Sequence, residues 1–271
     1  MRILHVSDTH FHSNDADNKD VLERLKLLYD QYFAPEPSTW LMVTGDITDD
    51  GAPQQYENAY RALEPFKGRL LLAPGNHDAG FAGNFYSPIR EKHYDELLAL
   101  PLGQPGPSFR KPEPLLTTIK DGDLKVMAIG LNTVLETLEL YDFACGEVGT
   151  RQLEQLRALL LAPASQGYVK IVFFHHHALW VGNPFLELKD ARDFWKTVYG
   201  RVSVVAFGHK HEARTWQSTL GTSWILAATN LPAATVVQMI EIAPDGAVQS
   251  RPVPVVPGLL PEERPEHGLH S

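Results

Sequence analysis

Short apolar runs alternate with stretches of helical periodicity in the first third of the chain. The apolar runs at residues 3–7, 40–44 and 69–73 are typical of buried strands. Between them, residues 19–33 and 53–66 carry apolar side chains at helical spacing, which predicts two helices. Strand, helix, strand, helix, strand is the pattern of right-handed parallel crossovers, so this region predicts a parallel β-sheet flanked by helices.

Strand patterns dominate the remainder, after a helix predicted over residues 88–100 and an irregular stretch that contains several prolines. The turn sequence Asp121-Gly122-Asp123 lies between two apolar runs and predicts a hairpin. Thr150 is expected to cap a helix over residues 151–161. Further strands are predicted at residues 169–174 and 202–207, followed by successive antiparallel strands at 214–217, 223–228, 234–242 and 248–255.

Five of the apolar runs end in residues that carry oxygen or imidazole side chains. The five groups are Asp8-Thr9-His10, Gly45-Asp46, Gly75-Asn76-His77-Asp78, His175-His176-His177 and Gly208-His209-Lys210-His211. Open α/β sheets bind ligands at the carboxyl ends of their strands, so these groups are expected to meet at one edge. Asp8 and His10 are two residues apart and would share one face of a regular strand, and His209 and His211 repeat that spacing.

Taken singly, each of these residues has an ordinary structural explanation. An aspartate or asparagine after a strand is more often a turn or cap residue, and a lone histidine is more often a satisfied core or surface group. Five groups in succession argue instead for one site. Their mixture of oxygen and nitrogen ligands suits Zn, Mn or Fe rather than Ca or Mg. Seven ligands, with one bridging carboxylate, are enough for two metal ions about 3.5 to 4 Å apart.

The five motifs, in this order, resemble those of the calcineurin-like metallophosphoesterases. More narrowly, they are similar to the bacterial cyclic-nucleotide and glycerophosphodiester phosphodiesterases, over roughly residues 1–215. The resemblance implies an α/β fold of the metallophosphoesterase type, a four-layer α/β/β/α sandwich. Because the motifs run from Asp8 to His211, we expect a single domain over residues 1–256, with a disordered tail at residues 257–271.

The resemblance also implies a role for each candidate residue. Asp8, His10 and His211 would hold one metal ion, Asn76, His175 and His209 would hold the other, and Asp46 would bridge the two. His77 would serve as proton donor to the leaving group or as transition-state stabiliser, with Asp78 orienting its ring.

Two assignments stay open. The family segment His-His-Pro-Pro matches best with His175 as the ligand, but both prolines are missing here, which leaves His176 as the alternative. A strand that continued past Phe174 would place His175 and His177 on one face. Asp49 is expected either to support the metal ligands from behind or to cap the following helix.

The activity that the resemblance implies is hydrolysis of a small phosphodiester, of the cyclic-nucleotide or glycerophosphodiester type, by attack of a metal-bridging hydroxide on phosphorus. The cofactors would be two divalent or trivalent transition metal ions, Mn, Fe or Zn. A phosphomonoesterase is the nearest alternative; a nuclease and a non-catalytic metal-bound scaffold are more distant ones. The substrate would be selected by loops at residues 81–114, 132–149 and 179–190.

Composition narrows the class of partner. Hydrophobic residues make up 44% of the 271 residues, an ordinary globular value, and no apolar run approaches the roughly 20 residues of a membrane span. The net charge of −9 disfavours nucleic acid, whose binding needs many Lys and Arg residues. Cys145 stands alone, so no internal disulfide forms, and Met1 leads into the first strand without a secretory signal. We therefore expect a cytoplasmic enzyme with a small-molecule phosphoester substrate, and leave a homo-oligomer open.

Overall fold

Two β-sheets pack face to face, with helices on the outer face of each. The computed structural model describes residues 1–81, 83, 85–104, 113–134, 144–179, 182 and 186–256. Its strands are β1 (Arg2–Val6), β2 (Thr39–Thr44), β3 (Leu70–Ala73), β4 (Gly80–Phe81), β5 (Phe85–Tyr86), β6 (Leu115–Asp121), β7 (Leu124–Gly130), β8 (Val169–Phe173), β9 (Val204–Phe207), β10 (Arg214–Gln217), β11 (Trp224–Ala227), β12 (Val236–Ile242) and β13 (Val248–Pro254).

Four of the helices follow the predicted periodic stretches, whereas the helices at residues 76–79 and 191–198 correspond to no predicted helix. The helices are α1 (Lys19–Leu28), α2 (Pro53–Leu63), α3 (Asn76–Ala79), α4 (Pro88–His93), α5 (Thr150–Leu161) and α6 (Ala191–Val198). Wider π turns extend α1 over Tyr29–Phe33 and α4 over Tyr94–Ala99. Single 3₁₀ turns cover Asp15–Asn18, Glu64–Phe66, Pro163–Ser165 and Leu231–Ala233. Among the described residues, the helices are all too short or too polar to cross a bilayer.

The strand order places most functional loops at one end of both sheets. The first sheet has the order β13-β12-β1-β2-β3, in which β1, β2 and β3 run parallel. The second sheet has the order β10-β11-β9-β8-β7-β6, in which β7, β8, β9 and β11 run parallel. The carboxyl ends of β1, β2 and β3 therefore share one edge, and those of β8 and β9 share the corresponding edge of the second sheet.

Three apolar clusters separate the four layers. The cluster between the sheets includes Ile3, Met42, Leu71, Ile171, Phe173 and Val204. The cluster between the first sheet and its helices includes Leu4, Val43, Leu25 of α1 and Tyr56 of α2. The cluster between the second sheet and its helices includes Val172, Val205, Leu156 of α5 and Phe194 of α6. This is the four-layer α/β/β/α sandwich that the family resemblance implied.

Strand β8 shows why the central strands have consecutive apolar residues in the sequence. Ile171 and Phe173 face the other sheet, whereas Val172 faces α5 and α6. Successive side chains of a strand point to opposite faces, and here both faces are buried. The apolar run is therefore a consequence of the layer arrangement.

The predicted succession of antiparallel strands near the end of the chain is confirmed for two pairs, β10 with β11 and β12 with β13, and is wrong between β11 and β12. Strand β11 pairs parallel with β9 in the second sheet, and β12 crosses to the first sheet, where it pairs antiparallel with β1. Both faces of β12 are buried, with Met239 on the helix side and Ile240 between the sheets. Alternation along a sequence predicts a strand but does not say which sheet it joins.

The predicted cap of α5 is also wrong. Thr150 is the first residue of the helix, after Gly149 in a left-handed conformation with φ of 81°. The carboxylate of Asp190 instead accepts hydrogen bonds from the backbone N–H groups of Val148 and Gly149, at 3.0 and 2.8 Å. These bonds hold the turn before the helix from a residue distant in sequence, which no local pattern reveals. The tail predicted at residues 257–271 lies outside the described residues, and the single domain over residues 1–256 stays a prediction.

Candidate metal centre

The loops that follow β1, β2, β3, β8 and β9 converge at the carboxyl edge of the two sheets. Backbone hydrogen bonds join the first two loops side by side: the N–H groups of Asp8 and His10 donate to the carbonyls of Gly45 and Asp46, both at 3.0 Å. Two further bonds join the sheets. The N–H of His209 donates to Asp8 Oδ2 at 3.1 Å, and His175 Nδ1 donates to the carbonyl of Thr44 at 2.8 Å. The candidate side chains are thus held by backbone from both sheets.

Five of the candidate residues adopt left-handed backbone conformations. Their φ angles are 52° at Asp8, 44° at His10, 48° at Asp46, 77° at His209 and 55° at His211. For residues other than glycine this conformation costs about 1 to 2 kcal/mol each, so the surrounding structure has to impose it. The prediction that Asp8 and His10 share the face of a regular strand is wrong, because β1 ends at Val6 and the loop geometry aims both side chains.

The first group of ligand atoms comes from Asp8, His10 and His211. His211 Nε2 lies 3.2 Å from Asp8 Oδ1 and 3.3 Å from His10 Nε2. Two imidazole nitrogens and a buried carboxylate oxygen therefore face one point. The contact with Asp8 raises the pKa of His211, although partial burial of the ring opposes that shift.

The second group surrounds His175. Its Nε2 lies 3.1 Å from Asp46 Oδ2, 3.0 Å from Asn76 Oδ1 and 3.0 Å from His209 Nδ1. Because Nδ1 of the same ring donates to Thr44, the neutral imidazole has its lone pair at Nε2. One nitrogen can satisfy only one of these three neighbours at a time. A shared cation would satisfy all four ligand atoms together.

The carboxylates near His175 favour a positive charge on this ring. Burial alone would lower the pKa of this ring, but the carboxylates of Asp46 and Asp8 outweigh burial and raise the pKa to about 9. Burial likewise opposes the charge on Asp46, yet the neighbouring rings of His175 and His77 hold the pKa of this carboxyl well below its usual value. The fully buried Asp46 therefore stays ionised next to the cluster of imidazoles.

Glycines make room for the candidate ligands. A Cβ atom on Gly45 would overlap the ring of His175, one on Gly75 would overlap the carboxylate of Asp46, and one on Gly208 would overlap Ser7 and crowd Asp8. These glycines accompany the ligands in the sequence motifs. Their structural purpose is close approach of neighbouring loops.

The prediction that Asp78 orients His77 is wrong. His77 Nδ1 donates to the backbone carbonyl of Asp49 at 2.6 Å. The carboxylate of Asp78 is buried and accepts from the N–H groups of Ile47, Thr48 and Gly75, at 3.1, 2.9 and 2.9 Å, and from the Thr48 hydroxyl at 2.9 Å. Neighbouring residues in a helical turn do not face each other, so His77 and Asp78 point apart.

Asp78 therefore joins two loops of the site instead of serving the imidazole. It ties the loop after β2, which carries Asp46, to the loop after β3, which carries Asn76. Burial and the neighbouring Asp46 raise its pKa to about 6, although its hydrogen bonds to the backbone act in the opposite direction.

Asp49 lies beside the first group and does not cap α2, whose preceding residue is Ala52. Its carboxylate oxygens lie 4.0 Å from His10 Nδ1 and 3.5 Å from His12 Nδ1. Of the two alternatives predicted for Asp49, support of the ligands from behind agrees with this position. His77 completes the same corner, with its ring 4.8 Å from that of His10 in an edge-to-face arrangement.

The three consecutive histidines have three different surroundings. Strand β8 ends at Phe173, so the strand alternation predicted for His175 and His177 does not apply. His175 joins Asp46 and His209 in the second group. His177 packs on the rings of Phe207 and Trp216, away from the ligands. His176 lies behind the ligands, where its Nδ1 is 2.8 Å from Thr133 Oγ1. Nothing in the sequence pattern indicated Thr133.

Residues 1–213 match the family model described as calcineurin-like phosphoesterase. The chain belongs to this family and is a metal-dependent phosphoester hydrolase, as the sequence motifs predicted. The family uses a dinuclear metal centre, and the described residues include candidate groups of metal-ligand atoms, among them the two groups described above.

Similar proteins point to the bacterial phosphodiesterases. The chain is 24% identical over 221 residues to 3′,5′-cyclic adenosine monophosphate phosphodiesterase CpdA of Vibrio vulnificus (strain CMCP6), covering 78% of this chain and 70% of the relative. It is 36% identical over 88 residues to glycerophosphodiester phosphodiesterase GpdQ of Enterobacter lignolyticus (strain SCF1), covering 29% of this chain and 30% of the relative. A dimetal phosphatase from Danio rerio shares the fold, with a TM-score of 0.61, 12% identity and coverage of 89% of this chain and 92% of that one.

Proposed function

We propose that this protein hydrolyses a small phosphodiester at a dinuclear transition metal site. The observation that carries the proposal is the pair of adjacent ligand groups with His77 at their open side. In this proposal Asp8, His10 and His211 would hold one ion, Asn76, His175 and His209 would hold the other, and Asp46 would contribute to both. The open side matters because a substrate has to reach the ions and His77 together.

The ligand atoms fit transition metal ions. Imidazole nitrogens outnumber carboxylates, which favours Mn, Fe or Zn over Mg or Ca. The convergence of three atoms on His175 Nε2 gives the best test of fit, because no arrangement of protons satisfies all of them. When bound, two such ions neutralise charge on phosphoryl oxygens and lower the pKa of water.

His77 is in a position to act on the leaving group. Its bond from Nδ1 to the carbonyl of Asp49 fixes the ring and leaves Nε2, which lies next to Gly83, as the nitrogen that can serve a substrate. An imidazolium at this position donates its Nε2 proton to the departing alkoxide oxygen, and the ring is then the neutral Nδ1–H tautomer. The bond to Asp49 is the same before and after the transfer, so no reorientation is needed.

The substrate class follows from similarity and charge. Two of the similar proteins named above are phosphodiesterases, one for cyclic adenosine monophosphate and one for glycerophosphodiesters, which favours a small phosphodiester. The net charge of −9 disfavours a nuclease. A single cysteine fits a reducing compartment, so we propose a cytoplasmic enzyme.

Hydrolysis of bis(p-nitrophenyl) phosphate and p-nitrophenyl phosphate by the Mn²⁺-loaded protein tests the proposal. We expect faster turnover of the diester, and loss of that turnover in an Asp46→Asn variant. Turnover of the monoester alone would make the protein a phosphomonoesterase. No turnover of either compound by protein loaded with two metal ions would favour a non-catalytic scaffold.

A further inference from the structure

His176 is a fully buried histidine that none of the roles above employs. Its ring packs against two candidate ligands, with ring centroids 5.0 Å from His175 and 4.7 Å from His209. Nδ1 contacts Thr133 Oγ1 at 2.8 Å, but Nε2 is buried and has no hydrogen-bond partner in the described part of the chain. Leaving a buried polar atom unpaired costs about 1 to 3 kcal/mol, so such an atom needs an explanation.

Only one of the two ring nitrogens of His209 has a hydrogen-bond partner among the described residues. Its Nδ1 faces the second ligand group, 3.0 Å from His175 Nε2. Its Nε2, like that of His176, is buried and has no hydrogen-bond partner among the described residues. A neutral imidazole that binds a metal through Nδ1 carries its proton on Nε2 and almost always donates that proton to a neighbouring acceptor. The adjacent ring with a free nitrogen is His176.

The surroundings of His176 are built to hold this ring in place. A Cβ atom on Gly146 would overlap the His176 ring, as one on Gly45 would overlap His175. Thr133 is itself anchored, because its carbonyl accepts from the N–H of Glu147 at 3.0 Å. A glycine thus packs closely against the ring of His176, as another glycine does against the candidate ligand His175.

We propose that His176 is a positioning residue of the metal centre: the two Nε2 atoms are not hydrogen-bonded to each other in this structure, and with the ion bound the Nε2 of His176 would accept the Nε2–H of His209 and fix the tautomer in which His209 Nδ1 faces the second metal ion. Thr133 Oγ1 accepts the Nδ1–H of His176 and so leaves the lone pair of His176 on Nε2. Thr133, His176 and His209 form a chain that ends at the ion. The inference rests on the proposed role of His209 as a metal ligand.

Two substitutions of His176 test the roles of its two ring nitrogens separately. In His176→Asn the amide keeps the position of Nδ1 next to Thr133 but loses the atom that faces His209. In His176→Gln the amide reaches the position of Nε2. Calorimetric titration of the metal-free full chain with Mn²⁺ or Co²⁺ measures both sites, and the visible spectrum of the Co²⁺ protein reports ligand geometry.

We expect His176→Asn to weaken one of the two sites by about 10- to 100-fold, the usual effect of removing a partner of a ligating histidine. The other site should change by less than about threefold, and His176→Gln should recover most of the loss. The matched control is His177→Asn, because His177 packs on Phe207 and Trp216 and should leave both affinities and the Co²⁺ spectrum unchanged. Thr133→Val, which removes only the hydroxyl, should weaken the same site in the same direction.

Unchanged affinity at both sites in His176→Asn and Thr133→Val would overturn the inference. So would an equal weakening of both sites together with a lower melting temperature of the metal-free protein, since that pattern indicates a purely structural residue. If His176→Asn does not fold, Thr133→Val alone decides the matter. A wild-type chain that fails to bind two ions would instead contradict the proposed function.

Discussion

At the scale of single residues, the site depends on conformations and protonation states that are unfavourable elsewhere. Asp46 combines a left-handed backbone with a fully buried charge, and its carboxylate contacts both His175 and the N–H of His77. Such features persist only where the surrounding structure enforces them. They are the physical sign of a site that was shaped for a ligand.

Replacement of His77 by alanine tests its proposed role as a proton donor. We expect metal content to be spared and turnover to fall by about 10²- to 10⁴-fold for substrates with poor leaving groups. The loss should be smaller for p-nitrophenyl esters, whose leaving group needs no proton. An equal loss for good and poor leaving groups would argue against proton donation.

The buried His5 makes stability depend on pH. Burial lowers its pKa to about 4, against the opposing effect of Asp8, so the unfolded chain binds the proton more readily. The contribution is complete above about pH 6.5 and is lost as the pH falls toward 4. Urea titrations at pH 7 and 5 should show wild type losing about 2 kcal/mol more than His5→Phe.

Phe is the matched replacement because it keeps a ring and cannot titrate. The partner of His5, the Thr44 hydroxyl, retains its bond to the carbonyl of Val6. An equal loss of stability in the two proteins would show that burial does not lower the pKa of His5 in the native state.

At the scale of secondary structure elements, most strands and helices could be predicted from sequence, since buried apolar runs and helical spacing are local signals. The candidate ligands could be found because each follows such a run. The partners of side chains could not. Asp78 bonds to a loop some 30 residues away, and Asp190 holds the turn before a helix from 41 residues away. These contacts depend on which loops meet in space.

The loop after β3 offers a test at this scale. Gly75 has an ordinary extended backbone, but a methyl group there would overlap Asp46. We expect Gly75→Ala to reduce bound metal, measured by elemental analysis, while the fold persists. Gly68→Ala is the control, because Gly68 has a left-handed φ of 86° and open space. It should lower the free energy of unfolding by about 1 kcal/mol and leave metal content unchanged.

At the scale of the whole molecule, the first sheet needs both ends of the chain. The family match ends at residue 213, yet β12 lies beyond it and pairs with β1, the strand that leads to Asp8. This arrangement underlies our proposal that residues 1–256 fold as one domain. The family motifs alone could not reveal it, because β12 carries none of them.

Truncation tests this proposal. We expect a chain of residues 1–256 to unfold in urea in one cooperative transition, at the midpoint of the full chain. A chain of residues 1–235 lacks β12 and β13 and exposes β1 as an edge, so it should lose that transition by circular dichroism. Native-like unfolding of the shorter chain would show that the family region folds alone.

The central claim is that one carboxylate joins two metal ions in a single reactive site. The most direct measurement is the number of Mn²⁺ ions bound per chain by wild type and by Asp46→Asn, alongside diester hydrolysis. The predicted result is two ions in wild type, with metal and activity lost together in the variant. Retention of both ions by Asp46→Asn would contradict the claim.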